Sequence, residues 1–349
     1  MHTRVLPLDP EQPDADAVAK AARLLRAGGL VAFPTETVYG LGANAMDAGA
    51  LGRIYAAKRR PAGDPIIAHI ADPAQLDLLA VDVPKLARTL AARFWPGALT
   101  LVLRRAPAVP AAIASGRDTV AVRMPAHPVA RALIAAAGVP VGAPSANTFT
   151  RPSATTAAHV LEDLDGRIDL VLDGGPTTIG LESTVLDLTG SEPLVLRPGG
   201  VPVEALRDVI PDLAVAERFA KEDAATSAPG QMLKHYSPQA AVLLFAAGSD
   251  APLRERLTRH ARALIADGKR CGFLVPDEDA AALAPLGEVE ALGPRADLAQ
   301  MGRRLFAALR AVDARGVDVI LVGDPGREGL GAALWDRLLR AAEGRVTDS

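Results

Sequence analysis

Cysteine is almost absent from this chain: Cys271 is the single thiol among 349 residues. One cysteine excludes an intrachain disulfide and any structural zinc site built on several thiolates. Aromatic residues are also sparse, at 7 Phe, 2 Trp and 3 Tyr, which argues against stand-alone RNA recognition by base stacking. No stretch approaches the roughly 18 to 20 uninterrupted apolar residues of a bilayer-spanning helix. The opening MHTRVLPLDPEQPDADA lacks the apolar core of a signal peptide, so the expected location is the cytoplasm. Positive charge is not in excess either. The 38 Lys and Arg face 41 Asp and Glu for a net charge of −3, unlike a general nucleic-acid binder.

Several catalytic signatures are missing too. There is no G-x-x-x-x-G-K-[ST] phosphate loop, no H-E-x-x-H and no G-x-S-x-G elbow. GREGLG, with Gly326, Gly329 and Gly331, follows a strand and opens a helix, but its glycine spacing is wrong for a dinucleotide loop. A tight strand-to-helix turn is its plain reading.

What is present is a globular composition, 49% hydrophobic and 23% charged, of a length that suits two domains. Val18, Ala21, Leu24 and Leu25 recur at helical spacing and stop at Gly28-Gly29, after which LVAF reads as a buried strand. A helix over about 48–58, the strand IIAHI and a helix through Leu86, Leu90 and Phe94 follow. LTLVL, TVAVRM, VPVGA, IDLVLD, STVLDL and PLVLRPGG read as strands, with TTAAHVLEDL as a helix among them. Several of these strands are joined by hairpin-length connections, which predicts a mixed α/β sheet with flanking helices over residues 1–207. Residues 208–239 lose the pattern and read as an interdomain linker. From 240 to 349, AVLLF, CGFLV and VDVILV alternate with helical stretches, the signature of a smaller, Rossmann-like open α/β domain with parallel strands.

Polar residues gather where strands end in the first 200 residues, and strand ends are where open α/β sheets build sites. The segments are PTETVYGLG (34–42), KRRPAGDP (58–65), His69, TVAVR (119–123), APSAN (143–147), RPS (151–153), ESTV (182–185) and LRPGG (196–200). Each has a structural reading on its own. Lys58-Arg59-Arg60 suits a helix C-terminus, Ser145 and Asn147 suit a turn, and His69 suits a hydrogen-bonded core histidine. Cys271 reads as a small core residue, and Trp95 and Trp335 as packing anchors.

Together, PTETVYGLG, KRRP, APSAN, ESTV and LRPG resemble the YrdC-like threonylcarbamoyl-AMP synthases, and PGQMLKHYSP resembles the linker of their two-domain form. The resemblance implies an enzyme that joins L-threonine, bicarbonate or CO2, and ATP into threonylcarbamoyl-AMP and pyrophosphate. A separate transferase complex then carries the threonylcarbamoyl group to tRNA, and direct tRNA contact stays open. In that chemistry the threonine amine captures CO2 and the carbamate oxygen attacks the α-phosphate, so no catalytic Ser or Cys is needed. The protein has to position its substrates and neutralise an anionic transition state, a task for Lys and Arg with Mg2+.

The resemblance assigns Lys58, Arg60, Ser145 and Asn147 to the phosphate-binding, catalytic part. It makes Thr119, Ser153, Arg197 and Tyr236 further ATP contacts. Thr35, Thr37, His69, Arg123, Ala143 and Ser183 form the threonine set. Arg123 suits a bidentate hold on the carboxylate, and the hydroxyls of Thr37 and Ser183 suit the substrate hydroxyl. Asp64 departs from the family pattern and is expected near triphosphate only if it pairs with Arg59 or Arg60 or approaches a metal ion. HYSP is expected to act as a lid over the cleft. Two other readings are an RNA-binding module, with Arg59, Arg60, Arg104 and Arg105 touching phosphates, and a carbamoyl-transfer protein of the same fold.

Overall fold

The computed structural model describes residues 2–61, 63–216, 235–246 and 252–347. The chain divides into two compact units, residues 1–149 with 153–231, and 150–152 with 232–349. Residues 217–234, the larger part of the expected linker, lie outside the described residues, whereas HYSP (235–238), the expected lid, falls within them.

The first unit is built on a sheet of twelve strands among the described residues. They are β1 (Arg4–Pro7), β2 (Val31–Phe33), β3 (Gly40–Asn44), β4 (Ile67–His69), β5 (Ala80–Val81) and β6 (Leu99–Arg105). The remainder are β7 (Thr119–Arg123), β8 (Val141–Gly142), β9 (Leu170–Asp173), β10 (Thr184–Asp187), β11 (Leu194–Arg197) and β12 (Ala214–Val215). Their order is β1-β9-β2-β3-β8-β4-β7-β6-β10-β11-β12, with β5 paired to β6. The pairings are mixed: β4 runs parallel to β7 but antiparallel to β8, and β6 runs antiparallel to β7 but parallel to β10.

Strand alternation sends neighbouring side chains to opposite faces. Val31 and Phe33 pack against the helices Ala15–Arg26 and Pro128–Ala137 through Ala21, Leu25, Val129 and Leu133. Ala32 instead joins the core shared with Leu51 and Ile54 of Ala48–Lys58, Leu90 of Lys85–Phe94 and Val160 of Ala157–Leu164. Each fully buried large apolar side chain of this kind contributes about 1.5–3 kcal/mol. Asp14 caps the first helix by accepting from Ala17 N–H at 2.8 Å, and Gly28, at φ +80°, ends it.

The helix that carries Lys58 has equally local causes. Asp47 accepts from the Gly49 and Ala50 amides at 2.8 and 3.1 Å. Arg59, at φ +54°, takes the left-handed conformation that stops the helix. Lys58 is thereby left on the last turn, 1% exposed, and the chain swings back so that Arg60 is also buried.

In the second unit all pairings among the described strands are parallel, as the regular alternation in the sequence predicts. β13 (Ala241–Phe245), β14 (Cys271–Val275), β15 (Glu288–Ala291), β16 (Val319–Gly323) and β17 (Val346–Thr347) stand in the order β15-β14-β16-β13-β17. Cys271 is buried in its core with Phe245, Leu257 and Phe273. GREGLG is a tight turn: Gly326 and Gly329 have positive φ, and a Cβ on Gly331 would meet Gly326 O at 2.8 Å. Trp335 lies under the Arg327 guanidinium, 3.4 Å from the ring centroid.

Candidate functional site

The APSAN loop is tied to two other sequence segments. Lys58 donates from Nζ to Ser145 O at 2.5 Å and to Asn147 O, while Phe149 N–H donates to Lys58 O at 2.9 Å. On its other side, Leu41 N–H donates to Pro144 O and Ala146 N–H to Tyr39 O, both at 2.8 Å. PTETVYGLG, KRRP and APSAN, far apart in sequence, therefore share one corner. Asn147 is buried and Ser145 half-buried there. Lys58 enters this corner as a cation surrounded by carbonyl oxygens.

Arg60 is turned into its own loop. Its Nη2 meets Asp64 Oδ2 at 2.8 Å and donates to Pro65 O at 2.8 Å, while Nε donates to Asp64 O at 3.2 Å. Asp64, 1% exposed, thus pairs with Arg60, one of the partners expected for an acid at this place. Burial chiefly pulls the Arg117 guanidinium below its usual range, and the Asp64 charge opposes that shift.

The parallel register of β4 and β7 places His69 beside Arg123. Arg123 is buried and held on three sides. Nε donates to Gly97 O at 3.1 Å, Nη1 to Thr37 Oγ1 at 2.9 Å and Nη2 to Glu36 Oε1 at 2.6 Å. Glu36 Oε2 accepts from Ala126 N–H at 3.1 Å. The Thr35 and Thr37 hydroxyls lie 2.8 Å apart. Burial first, then the Arg123 charge, lowers the His69 pKa to about 3, so its ring is neutral at pH 7. Nδ1 lies 3.2 Å from Ile67 O.

Ser183 stands at the head of β10, its hydroxyl 2.7 Å from Thr100 Oγ1. Arg197, on β11, donates from Nη2 and Nε to Ser183 O at 2.9 and 3.2 Å. A Cβ on Gly199 would press into the backbone of Glu182, Ser183 and Thr184, so only glycine allows LRPGG to lie this close to ESTV. Ser153 donates to Glu182 Oε1 at 2.5 Å. Ala143 is buried just past β8, where its N–H donates to Ile67 O at 2.9 Å.

The sheet orders these residues along a line. Thr119 and Arg123 occupy opposite ends of β7, about 13 Å apart at the usual strand rise. The parallel register puts the KRRPAGDP loop toward the Thr119 end and His69 at the Arg123 end. Tyr236 belongs to the second unit. It is buried against Phe306 at a centroid separation of 5.2 Å, and Arg337 lies 5.4 Å from its ring centroid.

Three residues at the Arg123 end escape sequence reasoning: Glu36, Thr100 and Glu182. Glu36 had a signal, since it sits between the two threonines of PTET, but its partner is 87 positions away. Among the described residues no group of three or more His, Cys, Asp or Glu side chains is arranged to hold a metal ion.

Comparison with known proteins places this geometry in a family. The Sua5/YciO/YrdC model, described as "Telomere recombination", matches residues 23–199, and the model "Threonylcarbamoyl-AMP synthase, C-terminal domain" matches residues 201–343. A threonylcarbamoyl-AMP synthase of Pyrococcus abyssi is 46% identical over 93% of this chain and 94% of its own length. One of Bacillus subtilis is 44% identical over 94% of both chains. The crystal structure of P. abyssi Sua5 complexed with L-threonine superposes with a TM-score of 0.92 at 43% identity, covering 99% of this chain and all of that one. With both segments matched and these relatives aligned over nearly the whole chain, the protein belongs to the Sua5/YciO/YrdC family, in its two-domain form.

Proposed function

We propose that the protein is an L-threonylcarbamoyladenylate synthase, which makes threonylcarbamoyl-AMP and pyrophosphate from L-threonine, bicarbonate or CO2, and ATP. The observation that carries this reading is the match of both parts of the chain to synthases of that name. The product serves threonylcarbamoyladenosine modification of tRNA through a downstream transferase complex.

The two ends of β7 divide the work. At the Arg123 end, the guanidinium grips the threonine carboxylate with its remaining N–H groups, and Ser183 meets the substrate hydroxyl. Neutral His69 packs beside them without adding a second positive charge. At the other end, Lys58 and Arg60 are the cations for the triphosphate, with Thr119, Ser145 and Asn147 as its polar lining, while the further ATP contacts Ser153 and Arg197, tied to Glu182 and Ser183, stand on the Arg123 side. Once the amine has captured CO2, the carbamate oxygen attacks the α-phosphate, the bond to the β-phosphate oxygen breaks and pyrophosphate leaves. Negative charge builds on the phosphoryl oxygens, and preorganised cations stabilise it. Magnesium is expected to arrive with ATP; among the described residues no group of three or more His, Cys, Asp or Glu side chains is arranged to hold a metal ion.

Pyrophosphate release is the test. It should require threonine and bicarbonate together, and Lys58→Ala should abolish it. Release without threonine, or none under any combination, would refute the assignment.

A further inference from the structure

The hydroxyl protons at the Arg123 end can be assigned from their partners alone. Thr35 Oγ1 lies 2.6 Å from Val38 O. A carbonyl oxygen only accepts, so the Thr35 hydroxyl spends its one proton there. The amides of Thr37 and Val38, both 3.2 Å from Thr35 Oγ1, share one of its two lone pairs and leave the other for a hydroxyl. The 2.8 Å contact between the two threonine hydroxyls must then run from Thr37 to Thr35. Thr37 has therefore given away its only proton, and it accepts from Arg123 Nη1 at 2.9 Å. What remains on Thr37 is one lone pair.

Arg123 is fixed in the same way. Three of its five N–H groups are used, on Gly97 O, Thr37 Oγ1 and Glu36 Oε1. One is left on each Nη, enough for the two oxygens of a carboxylate. Glu36 is itself immobilised, because its second oxygen takes the Ala126 amide. It is 7% exposed and within 2.6 Å of the guanidinium, so it neutralises a buried charge and stops the guanidinium from turning.

We propose that Glu36 is a positioning residue that fixes Arg123 beside Thr37, leaving Thr37 as an acceptor for the α-nitrogen N–H of the amino-acid substrate. The proposal rests on the threonine reading of this end. A carboxylate on the two free Nη N–H groups brings the α-nitrogen, on the next carbon, within reach of the groups beside those nitrogens, and Thr37 Oγ1 beside Nη1 still has an acceptor site. The polarity suits the reaction. A donor at this place would tie up the amine lone pair that must attack CO2, whereas an acceptor holds an N–H and leaves the lone pair free. The nitrogen keeps an N–H as ammonium, amine and carbamate, so the same contact survives each stage. The substrate hydroxyl is then left to Ser183 rather than shared with Thr37.

The test is a set of dissociation constants, measured by calorimetry, for L-threonine, L-2-aminobutyrate, which lacks the hydroxyl, and 3-hydroxybutanoate, which lacks the α-nitrogen. Thr37→Val should weaken all three, since it also removes the acceptor for Arg123 Nη1, but the two amino acids by about 10-fold more than 3-hydroxybutanoate, while Thr37→Ser stays close to the unaltered protein. Glu36→Gln should weaken all three through the loosened carboxylate grip. In the double variant, the Thr37→Val effect should shrink, because both act through Arg123. A merely structural Glu36 would lower the unfolding temperature and leave the two effects additive, which overturns its role. A Thr37→Val penalty on 3-hydroxybutanoate as large as that on L-2-aminobutyrate overturns the α-nitrogen contact. If the unaltered protein does not bind L-threonine, the synthase assignment itself fails, an outcome distinct from either.

Discussion

Two buried charged groups give predictions at the scale of the residue. The Arg60 and Asp64 side chains are 3% and 1% exposed and 2.8 Å apart. Removing one partner of such a pair leaves the other charge uncompensated, at a cost of about 3–5 kcal/mol, whereas replacing both by apolar groups is often neutral. Asp64→Ala should therefore be less stable in urea than the Arg60→Met/Asp64→Leu double variant; equal losses would contradict the pairing. His69 gives a pH dependence. Its folded pKa, about 3, lies below the ordinary 6.5. The unfolded chain binds a proton between these values that the folded chain refuses, so stability is lost progressively as pH falls from 6.5 toward 3. His69→Gln should flatten that loss in urea titrations, leaving the smaller share due to His127, whose pKa burial also lowers.

Elements carry the site through their ends. Asp47 caps the helix whose last residue is Lys58, and Asp47→Ala should cost about 1 kcal/mol of stability. The same change should lower the rate of pyrophosphate release, since the helix end aims Lys58 at Ser145 O and Asn147 O. Gly199→Ala would push LRPGG away from ESTV, because the added methyl meets backbone rather than a yielding side chain. It should raise KM for threonine, since the Ser183 backbone is among the atoms the methyl meets. A fall in apparent kcat with KM unchanged would point to loss of folded enzyme instead. Helix and strand identities were largely legible in the sequence, because burial on one face imposes period 3.6 or 2 on apolar residues. GLGAN, which forms β3, was hidden inside a polar motif, since two glycines and a short run leave no such period.

For the whole molecule, the two compact units offer separate readouts. Cys271 is 2% exposed in the core of the second, so its reaction with a thiol reagent during heating marks the opening of that unit. L-threonine at about 100 times its dissociation constant should stabilise the first unit by about 2.7 kcal/mol. Valine, which offers no hydroxyl to Ser183, should do so less at equal concentration. Calorimetry checks both, and an equal shift with valine would remove the case for hydroxyl recognition.

The sequence by itself determined the mixed sheet, the parallel second domain and the ordered motifs that mark the family, because periodicity and motif spacing are local properties of the chain. Through the resemblance of those motifs it also pointed to Lys58, Arg60, Arg123 and Ser183 as candidates. Only the tertiary structure decided what each one faces. Arg123 meets Glu36, Arg60 meets Asp64 and Lys58 meets two carbonyls of a loop nearly 90 residues away. Partnership depends on strand order and register, through which β4 lies beside both β7 and β8, and hydrogen-bond direction depends in turn on which acceptors those partners supply.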